Sequence, residues 1–486
     1  MRYPRFAHVR LVSTLVLALV ALMMPGAHST AQVATGPLAA GITVVTSFGG
    51  IDPSTNNPPD LTIAAGPDRL VVGTNDVVVI RDKDGSLVAT KDLRVFFASV
   101  RAAGEDTVAS PRAVFDPDSE RFFLVTAAHN RPACVPTCVS HYLLAVSKSA
   151  SPATLDAADW HFDTLDASSD NTGTGPTPTS LFADLPDIGV DEHVLVITSV
   201  QRDTTSGDFI TAKIRRMLKV FAVDGINYTP TDWLDFVNIN VPGTATRVGA
   251  VHPAAMSGGL SRFFLTSRVP GPASNDCGKV VWSLDNLLAS TTLTGKVVTK
   301  TGGCAPSPDA HQPGTATTLR TSNAASGHTA RPVYRNGSLW DVESVQRTVS
   351  GQTVSAVRWM QLNVSAWPAT PTFVQDQFIA AAGMDHFYPA IMADASNNAF
   401  IVYGRSSAGG EFASVYATGR AAADPVNTLR APALLQAGTS TLSVTNPAAY
   451  GQYFDVALDP DDGTVWVVGE YVTLASAWGA WVGNLS

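Results

Sequence analysis

The chain has 486 residues, about three times a common domain length, so either several domains or one large repeat architecture is expected. Charged residues make up 15% and hydrophobic residues 45% of the chain, which excludes an intrinsically disordered protein. The formal net charge of -9 argues against a nucleic-acid partner, because a phosphate backbone attracts a clustered basic surface.

The segment up to Ala31 has the pattern of a secretory signal peptide. Three arginines come first, an apolar stretch follows, and small residues supply a cleavage site: Arg2, Arg5, Arg10, Leu11 to Met24, and Ser29-Thr30-Ala31. The apolar stretch is too short and wrongly flanked for a stable membrane span. We therefore expect residues 32–486 to form an exported protein, extracellular or periplasmic, without a membrane span.

Four cysteines follow the signal segment: Cys134, Cys138, Cys277 and Cys304. An even number of cysteines in an exported chain favours disulfides. Three pairings are open, and the nearest-neighbour one, Cys134 with Cys138 and Cys277 with Cys304, closes two local loops. The alternative is a zinc site, which the spacing of these cysteines supports only weakly.

A hairpin pattern recurs seven times along the chain. Each copy has a short apolar strand that usually starts near a proline, then a turn, then a second apolar strand. The copies start at Pro59, Pro111, Pro186, Pro253, Pro332, Pro389 and Phe454. They recur at intervals of roughly 50 to 80 residues, which leaves room for two further strands in each repeat.

Four antiparallel strands per repeat are typical of a propeller blade, so we predict an all-β chain forming a single seven-bladed β-propeller over residues 32–486. The last repeat supplies three strands, and Ile42 to Phe48 can close the ring as its fourth. Leu218 to Val223 reads as the third strand of the third blade, and Arg94 to Ala103 as one short surface helix. The alternative fold is a tandem of β-sandwiches.

The same register places the starts of the innermost strands and the ends of the second strands on one rim of the central channel. Ligand sites on such scaffolds lie where loops from several elements converge. Five arginines fall at these positions and can bind the carboxylate of a ligand bidentately: Arg112, Arg202, Arg268, Arg331 and Arg405. The alternative for each is an ion pair with a neighbouring acidic residue.

Histidine, tyrosine and acidic residues share this rim: His129, His252, His328, His386, Tyr388, Tyr450, Tyr453, Asp385 and Glu470. A histidine base beside a tyrosine acid, with an arginine that neutralises a uronate, permits β-elimination. A carboxylate pair such as Asp385 with Glu470 permits glycoside hydrolysis. Three histidines could also hold a metal ion. We take Asp385, His386, Tyr453 and Glu470 as catalytic candidates, and the five arginines with His252 and Tyr388 as substrate-binding candidates.

Three segments resemble secreted bacterial propeller proteins of the sialidase-like superfamily. They run from Gln312 through His328-Thr329-Ala330-Arg331 to Asn336, from Asp385 to Asp394, and from Tyr450 to Tyr471. In place of Phe387-Tyr388 and Gln452, those relatives tend to have Arg-Trp and Asp. The resemblance implies a propeller in which Arg112, Arg268, Arg331, Tyr453, Glu470 and Asp385 stand for the arginines, the Tyr–Glu pair and the acid of a sialidase.

The sequence thus favours a secreted, monomeric, carbohydrate-active propeller that hydrolyses or eliminates glycosidic bonds of an anionic glycan. A non-catalytic glycan- or protein-binding adhesion propeller is the second hypothesis, and a metal-dependent lactonase or oxidoreductase the third. No cofactor is predicted, although a structural calcium ion stays open. Asp459 to Gly463 lacks the alternating ligands and closing Glu of a calcium loop, and so predicts a hairpin turn.

Overall fold

The computed structural model describes residues 41–54, 59–134, 138–225, 228–229, 231–269, 278–300, 304–321, 330–443, 448–474 and 477–486. These residues form seven antiparallel sheets of four strands each, and one additional two-stranded ribbon. The predicted all-β, seven-bladed propeller is confirmed. The signal segment, residues 1–31, lies outside the described residues and stays a prediction.

Each blade takes its strands in chain order from the inside outwards, except that the last blade includes β1. Blade 1 has β2 (Thr62–Ala65), β3 (Arg69–Gly73), β4 (Val77–Asp82) and β5 (Leu87–Asp92). Blade 2 has β6 (Thr107–Asp116), β7 (Arg121–His129), β8 (Ser140–Ser147) and β9 (Trp160–Asp166). Blade 3 has β12 (Leu181–Val190), β13 (Val194–Asp203), β14 (Phe209–Leu218) and β15 (Trp233–Phe236). The ribbon between blades 2 and 3 is β10 (Ser169–Asn171) and β11 (Pro176–Pro178).

The second half of the ring repeats this arrangement. Blade 4 has β16 (Val251–Pro253), β17 (Arg262–Arg268), β18 (Lys279–Asp285) and β19 (Thr292–Val298). Blade 5 has β20 (Val333–Arg335), β21 (Ser338–Val349), β22 (Gln352–Asn363) and β23 (Thr372–Ile379). Blade 6 has β24 (Asp385–Ala393), β25 (Ala399–Ser406), β26 (Ser414–Arg420) and β27 (Ala433–Gln436). Blade 7 has β28 (Asp455–Leu458), β29 (Val465–Leu474), β30 (Ala477–Leu485) and, outermost, β1 (Val44–Ser54).

Apolar side chains on both faces of the inner strands explain why the sheets stack around an axis. The second strands are almost wholly buried, as in β13, and their Val, Leu, Ile and Phe side chains fill the space between neighbouring blades. Strands buried on both faces read as continuous apolar runs rather than alternating ones. This is why the repeat was visible in the sequence.

One strand prediction is wrong. Residues 219–223 form a short helix, α2 (Lys219–Val223), and the third strand of blade 3 is β14. The sequence of β14 includes Lys213 and Arg215, charges that argue against a buried strand. The structure neutralises them, because Lys213 Nζ lies 2.7 Å from Asp170 and Arg215 pairs with Asp235. The predicted helix between blades 1 and 2 is a single turn, α1 (Leu93–Phe96).

Backbone bulges interrupt the inner strands of blades 2, 3 and 6. In each, a residue with positive φ stands immediately before a proline: Ser110 at 56°, Leu185 at 50° and Tyr388 at 48°. The strand register shifts at the same three places. A bulge adds a residue to one strand and redirects the side chains that follow it. Arg112 and Asp187, two residues after their bulges, meet side chains of other blades near the axis.

Cys134 and Cys138 form the predicted disulfide. Cys304 is also disulfide-bonded, but its predicted partner, Cys277, lies outside the described residues, and that pairing stays a prediction. None of the helices in the described ranges is long and apolar enough to cross a membrane.

Candidate functional site

The starts of the inner strands converge on Asp187, which belongs to blade 3. Its Oδ2 lies 3.0 Å from Nδ1 of His252 in blade 4, and its Oδ1 lies 3.1 Å from Nη2 of Arg331 in blade 5. Burial alone would raise the pKa of Asp187, but Arg331 and Arg112 hold it well below its ordinary value. Asp187 is therefore a carboxylate that ties three blades together.

Arg112 is the second cation at this point and is 2% exposed. Its guanidinium lies 3.7 Å above the ring centre of Tyr453, a cation–π contact. Its nearest carboxylate oxygens, on Asp187 and Asp455, are 3.9 and 4.0 Å away. Its Nε has no hydrogen-bond partner in the described part of the chain. Arg112 is thus held by charge and stacking, and its hydrogen-bonding capacity is incompletely used.

Two buried carboxyl groups, those of Asp60 and Glu470, accept hydrogen bonds from the backbone N–H groups of consecutive residues. The N–H of Gly451 donates to Oε2 of Glu470 at 3.0 Å, and the N–H of Gln452 donates to Oδ1 of Asp60 at 2.9 Å. Burial raises the pKa of both groups, and the negative charge of Asp60 raises that of Glu470 further. Glu470 is therefore a carboxylic acid that keeps its proton well above the ordinary range.

Three tyrosines complete the cluster. The rings of Tyr388 and Tyr450 stack with their centres 6.2 Å apart, and Tyr450 donates to the backbone carbonyl of Glu470 at 2.8 Å. Burial raises the pKa of Tyr388, Tyr450 and Tyr453 well above the ordinary value, so all three are neutral phenols. We call the whole cluster the upper centre: Asp60, Arg112, Asp187, His252, Arg331, Tyr388, Tyr450, Tyr453, Asp455 and Glu470.

A chain segment before blade 5 covers the upper centre. Tyr388 donates to the carbonyl of Arg320 at 2.6 Å, and Leu319 forms a parallel bridge with Ala448. Gln312 exchanges two hydrogen bonds with the backbone of Leu442. Glu470 is consequently 1% exposed and Asp60 3%. The predicted rim is a buried centre in this conformation rather than an open funnel.

Six of the eleven predicted site residues belong to the upper centre: Arg112, His252, Arg331, Tyr388, Tyr453 and Glu470. The other five do not. Arg202 pairs with Asp184 at 2.6 Å, and Arg405 pairs with Glu411 at 2.8 Å. The inner strands of blades 2, 3 and 6 begin several residues before their prolines, so the second strands extend past the level of the centre. Arg202 and Arg405 lie on those extensions.

Asp385 and Arg268 have structural partners instead. The carboxylate of Asp385 accepts from the backbone N–H and Nδ1 of His311, both at 2.8 Å, and from the N–H of Ser355. It thereby attaches the covering segment to blades 5 and 6. Arg268 donates to the carbonyl of Cys304 at 2.6 Å and lies 3.5 Å from Glu343. Neither is placed to act with Glu470.

His386 is buried apart from the other candidates. Burial, together with the nearby charge of Arg405, lowers its pKa to about 3, so the ring is neutral. His328 lies outside the described residues. In the described ranges, no three side chains among His, Cys, Asp and Glu form a metal-binding group.

Asp60, Asp187 and Asp455 are not among the predicted site residues, although all three stand at the starts of inner strands. Asp187 and Asp455 occupy the same position of the repeat as Arg112. A charged residue repeated at one register position of a closed ring must meet its equivalents near the axis. That pattern was the signal that could have identified them.

No family model matches the chain, and no curated protein matches it. Solved structures do. A protein described as a glycoside hydrolase matches 65% of this chain and 91% of its own, at 13% identity and a TM-score of 0.30. The alpha-L-arabinanase of Penicillium chrysogenum, complexed with arabinobiose, matches 77% of this chain and 92% of its own, at 12% identity and a TM-score of 0.37.

The sialidase of Trypanosoma rangeli, in complex with 2,3-difluorosialic acid, matches 84% of this chain and 56% of its own, at 9% identity and a TM-score of 0.39. The apocarotenoid oxygenase of Synechocystis matches at 10% identity, with the same TM-score. Structures described as a sialidase, an arabinanase and a glycoside hydrolase are thus among the solved structures similar to this chain. At these identities the likeness concerns the fold alone, and one fold hosts many functions.

Proposed function

We propose that this protein is an exported, monomeric, carbohydrate-active propeller that cleaves glycosidic bonds of an anionic glycan at the upper centre. The observation that carries the proposal is the acid pair: Asp60 and Glu470 sit on consecutive backbone amides, and Glu470 retains its proton. Glycoside hydrolysis uses two carboxyl groups, one of them a proton donor of raised pKa.

The roles follow from the environment of each group. Glu470 protonates the leaving glycosidic oxygen, because its Oε1 has no hydrogen-bond partner in the described part of the chain. Asp60 is the more ionisable member of the pair, since it accepts hydrogen bonds from Gln452 and Ser110 and lies near the charge of Arg112. Arg112 binds the carboxylate of the sugar, because its Nε has no hydrogen-bond partner in the described part of the chain.

His252 gives the same centre a second reaction type. Its Nδ1 faces Asp187, which favours the tautomer with the proton on Nδ1 and leaves Nε2 as an acceptor. Nε2 has no partner among the residues that the structure describes. With a uronate bound by Arg112, this nitrogen could abstract the α-proton of the sugar, and the glycosidic bond would be broken by elimination.

The test is turnover of sialylated and uronate-containing glycans by the purified protein and by Glu470→Gln. New reducing ends report hydrolysis, and unsaturated uronates report elimination. We expect Glu470→Gln to lose about 100-fold or more of the wild-type rate, because general acid catalysis contributes about that much. Glu411→Gln is the matched control, since Glu411 pairs with Arg405 away from the upper centre. A wild-type protein without turnover, or Glu470→Gln with full turnover, would refute the proposal.

Burial of the upper centre favours a second function, that of a non-catalytic binding propeller. Among the described residues, the hydrogen bond from Tyr388 to Arg320 and the burial of Glu470 show that the covering segment shields the upper centre from solvent. In that case the charges of the upper centre hold the blades together, and a ligand binds elsewhere on the ring. Retention of a glycan by wild type and Glu470→Gln alike, with no product formed, would decide for this function.

A further inference from the structure

The central channel opens at the end opposite the upper centre. There the inner strands turn into the second strands, and these turns surround a cavity of about 490 Å³ to which all seven blades contribute. We call this opening the lower mouth; its turns include residues 116–118, 191–192, 256–259 and 459–463. Cavities of a few hundred Å³ with a few placed polar groups are typical small-molecule sites.

The walls of the lower mouth are mostly aliphatic. Val114, Val190, Met256, Met392 and Ala457 line it, and Phe115 supplies the one aromatic ring among the described lining residues. Burying apolar atoms against such walls contributes about 25 cal/mol per Å². Methionine side chains adapt to ligands of irregular shape. The walls therefore suit aliphatic side chains better than a sugar ring.

Arg335 of blade 5 supplies a positive group to the lower mouth. Its Nε is buried and has no hydrogen-bond partner, and its guanidinium forms no ion pair, within the described ranges. The nearest acidic residue, Asp394, uses its carboxylate on the backbone N–H groups of Ser396 and Asn398. Arg335 is half-buried, and a guanidinium without a carboxylate partner can pair with the anionic group of a ligand.

The opposite side of the lower mouth is negative. Asp118 belongs to blade 2 and Glu192 to blade 3, three and two positions around the ring from blade 5. Asp191 also lines the cavity, but its carboxylate accepts from the backbone N–H groups of His193 and Val194. The side chains of Asp118 and Glu192 are each 57% exposed; Nζ of Lys219 lies 3.9 Å from Asp118, and the imidazole Nε2 of His193 lies 3.9 Å from Glu192. The lower mouth thus presents an arginine on one side, carboxylates on the other, and aliphatic walls between them.

We propose that the lower mouth binds a short aliphatic peptide with free termini. The peptide carboxylate pairs with Arg335, its ammonium group pairs with Asp118 and Glu192, and its side chains pack on Val114, Val190 and Met256. Such a peptide carries the two opposite charges at its ends and the apolar body between them, in the same order as the lower mouth. Arg331 of the upper centre also lines this cavity, but the proposal does not rest on glycan cleavage at the upper centre.

Calorimetry with the tripeptide Leu-Ala-Leu in three forms tests the proposal: with free termini, N-acetylated, and C-amidated. The free peptide should bind with one-to-one stoichiometry, and each modification should weaken binding at least tenfold, because it removes one terminal charge. In Arg335→Gln the amidated and free peptides should bind equally. Arg121→Gln is the matched control, because Arg121 lies beside the turn of blade 2 and outside the cavity lining.

Asp118→Asn combined with Glu192→Gln should abolish the effect of acetylation and preserve that of amidation. Glu470→Gln should leave peptide binding unchanged, which separates this site from the proposed catalysis. Equal binding of amidated and free peptides by the wild type would overturn the proposal. So would an acidic disaccharide that displaces the peptide at equal or lower concentration, since the lower mouth would then be a glycan site.

Discussion

Glu343 and Glu470 are both buried glutamates of second strands, but their charged neighbours differ. Glu343 is in the second strand of blade 5 and Glu470 is in the second strand of blade 7, and each is 1% exposed. Arg358 lies 2.8 Å from Glu343, and Arg268 and Lys279 lie 3.5 and 3.7 Å from it. Glu470 has a backbone N–H and no cation within ion-pair distance in the described part of the chain.

The pKa values move in opposite directions for this reason. Burial raises both, but three cations more than offset it at Glu343 and lower the pKa to about 2, whereas the pKa of Glu470 stays well above its ordinary value. Asp341 is intermediate: it pairs with Lys279 alone and lies near Glu343, and its pKa remains raised. The comparison shows that the number of neighbouring cations, rather than burial, decides whether a buried carboxyl group here is a structural anion or a proton donor.

Removal of the charge at Glu343 has the largest expected effect on the free energy of unfolding. Glu343→Gln leaves Arg268 without its carboxylate partner, and one buried partner lost in this way costs about 3 kcal/mol. Urea unfolding at neutral pH measures the loss. Glu411→Gln is the control, since its half-buried pair with Arg405 contributes at most about 1 kcal/mol. Equal losses in the two variants would show that the cations around Glu343 do not define its state.

Glu470→Gln, in contrast, should increase the free energy of unfolding. The folded pKa of Glu470 is raised, so its contribution to stability is present below its unfolded pKa, near 4.5, and is lost as the pH rises. Glutamine needs no proton, and the variant should exceed the wild type by more than about 1 kcal/mol at pH 8. The difference should shrink as the pH falls toward 4.5. A difference that is independent of pH would contradict the assignment of Glu470 as a neutral acid.

The smallest expected effect on stability comes from two buried histidines, in which neighbouring charges again decide the direction of the pKa shift. Burial lowers the pKa of His386 to about 3, so its contribution is present above about 6.5 and is lost as the pH falls. Between about pH 7 and 5.5 the wild type should lose about 1 kcal/mol more than His386→Gln. His141 is the matched case, because Glu105 lies 2.6 Å away and raises the pKa of His141 despite burial. His141→Gln should therefore show the reverse pH dependence, and agreement in sign between the two variants would break the comparison.

The fold was predictable because its signal was local and repeated. Apolar runs such as Val194 to Ile197 recur with turns at regular intervals, and each run reports a buried second strand. The failure at β14 has a physical cause: Lys213 and Arg215 are buried on ion pairs with Asp170 and Asp235, which no local pattern shows. A strand whose charged residues are neutralised by residues elsewhere in the chain does not show the apolar pattern that predicts a buried strand.

The sequence predicts the site only for residues that belong to the repeated strands. Arg112 and Tyr453 are in contact between blades, because they stand near equivalent positions of a closed ring. Asp385 did not join them, because it accepts from His311, a residue of the covering segment. That segment lies outside the repeat, so the repeat gave no information about where it packs. The bulges at Ser110, Leu185 and Tyr388, which lengthen the inner strands, were also not visible in the pattern.

The pairing of β1 with β30 has a consequence for how the ring is made. Val44 faces Leu485, so the outermost strand of blade 7 comes from the first part of the described chain and its neighbour from the last. During synthesis, β1 emerges early and has no partner until the other six blades have been translated. Contacts between distant parts of a chain form slowly, because loop closure must precede them. We therefore expect ring closure to come late in assembly, and until then β1 is an unpaired strand whose edges a second unfinished chain could capture.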